Sequence, residues 1–154
     1  MSYQGVAPIL FDSVSMVTAV PTVALGTERI ESGEKYVYVY NCGGSTAGVA
    51  CGMTRPISAF AGMYSGSVSA VSGDMCLGFV KHVAIPSGEY GWALTRGLLT
   101  ITVASSASDQ AAGVKGVGPL GVGACTIAAG MFPVGELTTA IVSGNSGLLR
   151  VNLP

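Results

Sequence analysis

The 154 residues include only 7 basic and 8 acidic side chains, so 10% of the chain is charged and the net charge is −1. A soluble domain ordinarily carries about 25% charged residues. An apolar content of 49% excludes a disordered chain, and basic residues that are scattered singly and balanced by acids argue against nucleic-acid binding. We therefore expect one domain with much of its surface covered by a partner.

Neither a membrane span nor a secretion signal is expected. The stretch 117–134 is interrupted by glycines and prolines, and no basic residue precedes Arg29 to form the positive region of a signal peptide. The four cysteines lack a C-x-x-C pair, which favours small buried thiols over a disulfide frame or a metal site. We expect a protein made in the cytoplasm, without a metal or cofactor.

The first 23 residues differ from the rest of the chain. They contain two prolines, one charge and no sustained periodicity. The segment either packs on its own domain or forms an extended arm that adds to a partner. We divide the chain into an arm, 1–23, and a domain, 24–154. The apolar run Pro8, Ile9, Leu10 and Phe11 is a candidate partner-binding segment.

Strict alternation between residues 35 and 41 predicts a strand after a Ser32-Gly33 turn. It places Tyr36, Tyr38 and Tyr40 on one face. Such a stripe is typical of a core or an interface, and is also compatible with a platform for stacking sugars or bases. We take the three tyrosines as candidate partner-binding residues.

Two hairpins are predicted further along the chain. A turn at Arg96-Gly97 would pair Trp92 with Ile101 and Leu94 with Leu99, aligning both apolar stripes of the segment 89–105. Near the C-terminus, 136–142 would pair with 148–153, with Ile141 opposite Leu149 and Leu137 opposite Leu153. A strand buried on both faces is predicted at 75–85, and weaker strands at 65–71, 112–117 and 124–128. The pattern predicts an all-β barrel or sandwich.

Three motifs suggest chemistry, and each has a simpler explanation. His82, Asp109 and Ser146 follow the order of a chymotrypsin-like triad, but Ser146 belongs to a Gly-Asn-Ser-Gly loop that favours positive φ. The G-x-G-x-x-G run at 116–121 contains a proline where a helix would have to begin. The acids within 27–35 are expected in a solvated turn. We therefore predict no catalytic residues.

Several segments resemble the decoration, or cement, proteins of tailed-bacteriophage heads. They are KYVYVYNCGGSTAG from residue 35, the run from residue 65 through Tyr90-Gly91-Trp92 to Arg96-Gly97, and VGELTTAIVSGNSGLLRVNL from residue 134. The likeness covers about residues 24–104 and 134–153, whereas the Gly- and Ala-rich segment 105–131 departs from it.

The resemblance implies a compact β-barrel or β-tulip-like domain. It also implies a homotrimer that binds the outer capsid surface of the virion and clamps neighbouring major capsid subunits. Another virion component is an alternative. A carbohydrate-binding or adhesive module, suggested by the tyrosine stripe and Trp92, is a further one.

Overall fold

A computed structural model of the chain describes residues 13–50, 52–55, 64–65, 75–103, 117–120, 124–127, 135–142 and 144–153. These residues contain strands and no helix, which confirms the all-β class. The strands are β1 (Glu28–Glu31), β2 (Glu34–Tyr40), β3 (Gly52–Arg55), β4 (Tyr64–Ser65), β5 (Met75–Val80), β6 (Tyr90–Val103), β7 (Val117–Leu120), β8 (Ala124–Ile127), β9 (Gly135–Leu137) and β10 (Ser146–Asn152).

The strands form one sheet organised around β6. The order β1-β2-β6-β5-β3-β4 is antiparallel throughout, β10 pairs with the second half of β6 and with β9, and β8 runs parallel to the end of β6. In the described part of the chain this sheet does not close into a barrel. Most of the contacts between strands therefore involve β6, which pairs with β2, β5, β8 and β10.

The predicted turn at Arg96-Gly97 is wrong, because β6 continues through it for 14 residues. The apolar positions do change phase there, from Trp92 and Leu94 to Leu99 and Ile101. A β-bulge explains the change: Lys35 pairs with Arg96 and Tyr36 with Leu94, so Thr95 is one extra residue. Both apolar stripes consequently reach the same core cluster.

The β1–β2 connection is the tight turn that the sequence predicts. Ser32 (φ 53°) and Gly33 (φ 80°) both adopt positive φ, and Glu31 pairs with Glu34. Two consecutive positive φ values are typical of a type I′ turn, whose twist matches that of the flanking strands. The tyrosine and valine alternation of β2 is also as predicted.

Two of the other strand predictions need adjustment. In the C-terminal hairpin Leu137 pairs with Leu149 rather than Leu153, a four-residue difference in register that keeps the same side chains inside. The strand predicted at 75–85 ends at Val80. Ser65 and Val117 lie in β4 and β7, while 66–71 and 112–116 lie outside the described residues. The strand predicted at 124–128 is present as β8 over its described residues.

Two hydrophobic clusters cover opposite faces of the sheet. The larger one includes Tyr36, Tyr38, Trp92, Leu94, Phe79, Leu99, Ile101, Leu137, Leu149 and Val151. The smaller one consists of Val39, Ala47, Met53, Val80, Ile85 and Ala93, with Val17 packed against it. The smaller cluster covers the first half of β6 only, and this leaves the same face of the second half exposed.

Candidate functional site

The face left exposed by the smaller cluster is the candidate site. We call it the outer face and define it by Arg96, Leu98, Thr100, Leu148 and Arg150. Pairing of β6 with β10 sets Leu148 beside Thr100 and Arg150 beside Leu98. All five residues are exposed, with Leu98 at 44% and Leu148 at 40%. Apolar and cationic side chains thus alternate on an uncovered sheet surface.

An open groove of about 710 Å³ lies at one end of the outer face, next to Arg96, Leu98 and Arg150, and Leu148 lies just beyond it. Arg96, Leu98, Arg150 and Glu136 line it. Within the described part of the chain, Arg29, Lys35 and Lys81 form ion pairs with Glu31, Glu28 and Glu34 respectively. Arg96 and Arg150 form none, so the groove holds two arginines whose charge is not met by a carboxylate.

The Glu34 side chain stabilises the backbone of β6 next to the bulge. Pairing of β2 with β6 ends at Arg96, so the Leu98 amide on that side has no strand partner, and Glu34 Oε1 accepts its N–H at 3.0 Å. Gly97 (φ 150°) is necessary here, because a Cβ at this position would lie 2.7 Å from the Glu34 side chain. The bulge is therefore stabilised by a carboxylate more than 60 residues away in sequence.

The same carboxylate organises a polar network. Tyr36 Oη donates to Glu34 Oε2 at 2.6 Å, and Lys81 Nζ donates to the same oxygen. Because the tyrosine proton is used in this way, His82 Nε2, at 2.9 Å, donates to Tyr36 Oη. The network ties β2 to the residues that follow β5.

The pKa shifts in this network disfavour acid–base chemistry at neutral pH. Burial alone would raise the pKa of Glu34, but hydrogen bonds from Lys81, Tyr36 and the Leu98 amide bring it below its usual value. Burial and the adjacent Glu34 carboxylate raise the pKa of Tyr36. A glutamate that holds its charge and a tyrosine that holds its proton suit a structural role.

The predicted partner-binding tyrosines lie mostly in the core. Tyr36 and Tyr38 are 1% and 2% exposed, and the Tyr38 hydroxyl is bonded to Thr18 and Thr22. These two rings present no free surface, whereas Tyr40 is half-buried. Tyr36 and Tyr38 pack in the larger hydrophobic cluster. There, Trp92 of β6 lies opposite Tyr38, with ring centroids 5.0 Å apart.

The candidate run Pro8, Ile9, Leu10 and Phe11 lies outside the described residues. The following part of the predicted arm, 13–23, packs on the sheet. Val14 is buried in the larger cluster, and Thr18 pairs with Tyr90 through hydrogen bonds of 3.0 and 2.8 Å. This part of the segment matches the alternative in which the terminus packs on its own domain.

Ser146 and His82, two residues of the triad-like order, are not brought together. Ser146 pairs with Thr102, whereas His82 follows a strand that pairs with Leu94. Eight positions along β6 correspond to about 25 Å. His82 also lies beyond the end of β5 rather than within a strand, and Asp109 is outside the described residues. The geometry does not support a serine–histidine pair.

The other chemical motifs also resolve into structure. The proline of the glycine-rich run lies in β7, a strand paired with β8, and not at a helix N-terminus. The described residues include no group of three His, Cys, Asp or Glu side chains placed to hold a metal ion. No helix in the described ranges has the length and apolar character needed to cross a membrane.

Sequence reasoning missed Glu34, Arg96 and Arg150. It placed Glu34 in a solvated turn, but its side chain is 19% exposed because Lys81, Tyr36 and Gly97 surround it. It dismissed the two arginines as isolated, and only the register of β6 with β10 brings them to one face. Comparison with protein-family models, curated proteins and solved structures finds no match for this chain.

Proposed function

We propose that this protein is a structural component of a phage virion, a decoration protein that binds the outside of the assembled capsid. In this role it clamps neighbouring major capsid subunits and acts as a homotrimer on the capsid surface. The proposal rests on the resemblance of the sequence to such proteins and on one structural observation. That observation is the outer face, an uncovered sheet surface bearing Leu98 and Leu148 in a chain with few charges.

The physical argument begins with the exposed apolar surface. Contiguous exposed apolar side chains mark surfaces that associate with other proteins. A protein that binds only the assembled lattice stabilises it by mass action. Many copies, each in contact with several subunits, bind through avidity without a very tight single contact.

The network around Glu34 agrees with this role, because its pKa shifts hold the carboxylate and the tyrosine in their resting charge states. The carbohydrate-binding alternative depended on exposed aromatic rings. Trp92 is 6% exposed, and Tyr36 and Tyr38 are buried. No observation in the described residues therefore favours that alternative.

The proposal is tested with empty heads assembled from the major capsid protein of the same genome. The full chain should sediment with expanded heads and raise the temperature at which they disassemble. Cryo-electron microscopy should show it as trimers on the outer surface. A chain that remains in the supernatant at micromolar concentration, with unchanged head stability, would contradict the proposal.

Deletion of residues 2–12 provides a separate test of the predicted arm. It removes Pro8, Ile9, Leu10 and Phe11 but keeps Val14 and Thr18, which contact the sheet. We expect unchanged thermal unfolding and weaker binding to heads, since an extended segment can add to a neighbouring subunit. Equal binding by the truncated and full chains would show that the run is not a contact segment.

A further inference from the structure

We infer that the groove on the outer face binds an extended acidic segment of a partner protein. Arg96 and Arg150 would pair with its carboxylates, and Leu98 in the groove and Leu148 beside it would cover its apolar side chains. This inference rests on the proposed function, because it names the chemistry by which that surface would recognise the capsid subunit.

Charge complementarity identifies the occupant. Arg96 and Arg150 are exposed and line the groove, and neither forms an ion pair within the described residues. Glu136 is the acid among the lining residues, so the basic side chains exceed the acidic ones. Guanidinium groups bind carboxylates in a bidentate fashion, which favours Asp or Glu in the ligand.

The spacing along the sheet favours an extended ligand. Arg96 and Leu98 are two positions apart on β6, and Leu148 and Arg150 are two positions apart on β10. An extended chain repeats its side chains on one face at the same interval, about 6.6 Å. A segment with acidic and apolar residues alternating at every second position therefore matches the spacing of either strand, and the match on β10 is displaced by two residues from the match on β6.

Nucleic acid fits this surface less well. Two arginines beside Glu136, on a chain with a net charge of −1, are a weak attraction for a phosphate backbone. Leu98 lies beside Arg150 and two positions from Arg96, and Leu148 lies two positions beyond Arg150, which also favours a ligand with apolar side chains. These observations select a polypeptide over an oligonucleotide.

The test uses the full chain and a fluorescein-labelled octapeptide, Glu-Ser-Leu-Ser-Glu-Ser-Leu-Ser, followed by fluorescence anisotropy. The matched peptide carries Lys in place of Glu. We expect the acidic peptide to bind in a salt-sensitive manner and the Lys peptide to bind at least about tenfold more weakly. Equal binding of both peptides, or tighter binding of a dT12 oligonucleotide, would overturn the inference.

Charge variants locate the site. Arg96→Glu with Arg150→Glu should weaken binding of the acidic peptide about tenfold or more and should create binding of the Lys peptide. Arg96→Lys with Arg150→Lys should retain most of the binding. Both side chains are exposed, so the circular dichroism and the unfolding midpoint should remain those of the parent chain. Unchanged peptide binding by the double Glu variant would contradict the proposed site.

The same variants separate this inference from the proposed function. If the parent chain binds heads and the double Glu variant binds them equally well, the groove inference is wrong and the decoration role stands. If the parent chain binds the acidic peptide but no heads, the decoration role is wrong and the groove inference stands. The peptide assay contains no capsid, so neither result depends on the other.

Discussion

The two halves of β6 are covered differently, although they belong to one continuous strand. In the first half, Trp92 and Leu94 face the larger cluster and Gly91 and Ala93 face the smaller one. In the second half, Leu99 and Ile101 face the larger cluster, while Leu98 and Thr100 face outward. One face of the sheet is thus a core on one side of the bulge and an open surface on the other.

On this face of the sheet, small residues lie where another segment of the chain covers β6, and larger residues lie where β6 is uncovered. A Cβ at Gly91 would lie 2.7 Å from Ile85, so a covering chain lies directly on the first half. The larger Leu98 and Leu148 occupy the second half, where that cover is missing. This contrast between small covered residues and large uncovered ones supports our proposal that a partner binds the second half.

The largest loss of stability is expected for Leu94→Ala, because Leu94 is fully buried. Removal of a buried leucine side chain costs about 2–5 kcal/mol in the free energy of unfolding. The matched control is Leu98→Ala, four positions later and 44% exposed, which should change it by less than about 0.5 kcal/mol. Urea unfolding of both variants measures the difference. Similar losses in the two would show that Leu98 is covered in solution.

A second expected effect concerns the carboxylate beneath the bulge. Glu34→Ala leaves the Leu98 amide and the Tyr36 hydroxyl without this acceptor, and should cost about 1–3 kcal/mol at pH 7. Glu34→Gln keeps an oxygen acceptor and serves as the matched variant. The unfolding of each is compared with that of the parent chain by urea titration. A loss below about 0.5 kcal/mol in the alanine variant would contradict a stabilising role for Glu34.

The pH dependence of this contribution has a defined sign. Since the pKa of Glu34 is lowered in the folded chain, its stabilising effect is fully present above the unfolded value of about 4.3 and declines as pH falls through the folded pKa. The difference between the parent chain and Glu34→Gln should therefore be constant from pH 7 to about pH 5 and shrink towards pH 3. A difference that does not change over this range would contradict the shift.

Much of the first half could be predicted from the sequence, and the reason is local. The alternation of tyrosine and valine in β2 fixes its faces, and Ser32-Gly33 fixes the turn before it. The sequence could not show that the tyrosine face is covered, because the cluster on that face includes Val14, Leu137 and Leu149, which are distant in the chain. For that reason the sequence alone predicts a binding surface at the tyrosines.

The second half was predicted less well because its decisive contacts are not local. Between Leu94 and Leu99 the apolar residues switch from even to odd positions, which is compatible with a turn or with a bulge. The composition of Arg96-Gly97 favours a turn. What distinguishes the two is Glu34, which binds the Leu98 amide. Similarly, two C-terminal registers place the same residues inside, so apolar spacing could not choose between them.

A third prediction sharpens the evidence for close cover on the first half. Gly91→Ala places a methyl group against the Ile85 side chain, which is fully buried, and should cost about 1–3 kcal/mol through overpacking. Gly44→Ala is the control, since no atom lies within 4 Å of its Cβ position. Thermal unfolding compares the two. If Gly91→Ala is neutral, the cover over the first half is looser than the structure indicates.

The smallest predicted effect lies at the bulge that separates the two halves. Thr95 is the extra residue, its hydroxyl donates to the Lys35 carbonyl at 3.1 Å, and its own carbonyl accepts the Leu153 amide at 2.9 Å. Thr95→Val keeps the β-branched shape and the backbone bond from Leu153 but removes the hydroxyl donor. One neutral hydrogen bond contributes about 1 kcal/mol, so the free energy of unfolding should fall by that amount.

The contrasting variant at this position is deletion of Thr95, which removes the extra residue itself. Without it, the alternation of β6 would place Leu99 and Ile101 on the outer face and Leu98 in the core, because a one-residue change reverses every following side chain. We therefore expect Thr95→Val to fold with a small loss and the deletion to unfold or to expose apolar surface to a hydrophobic dye. A deletion variant as stable as Thr95→Val would show that the bulge does not set the faces of the second half.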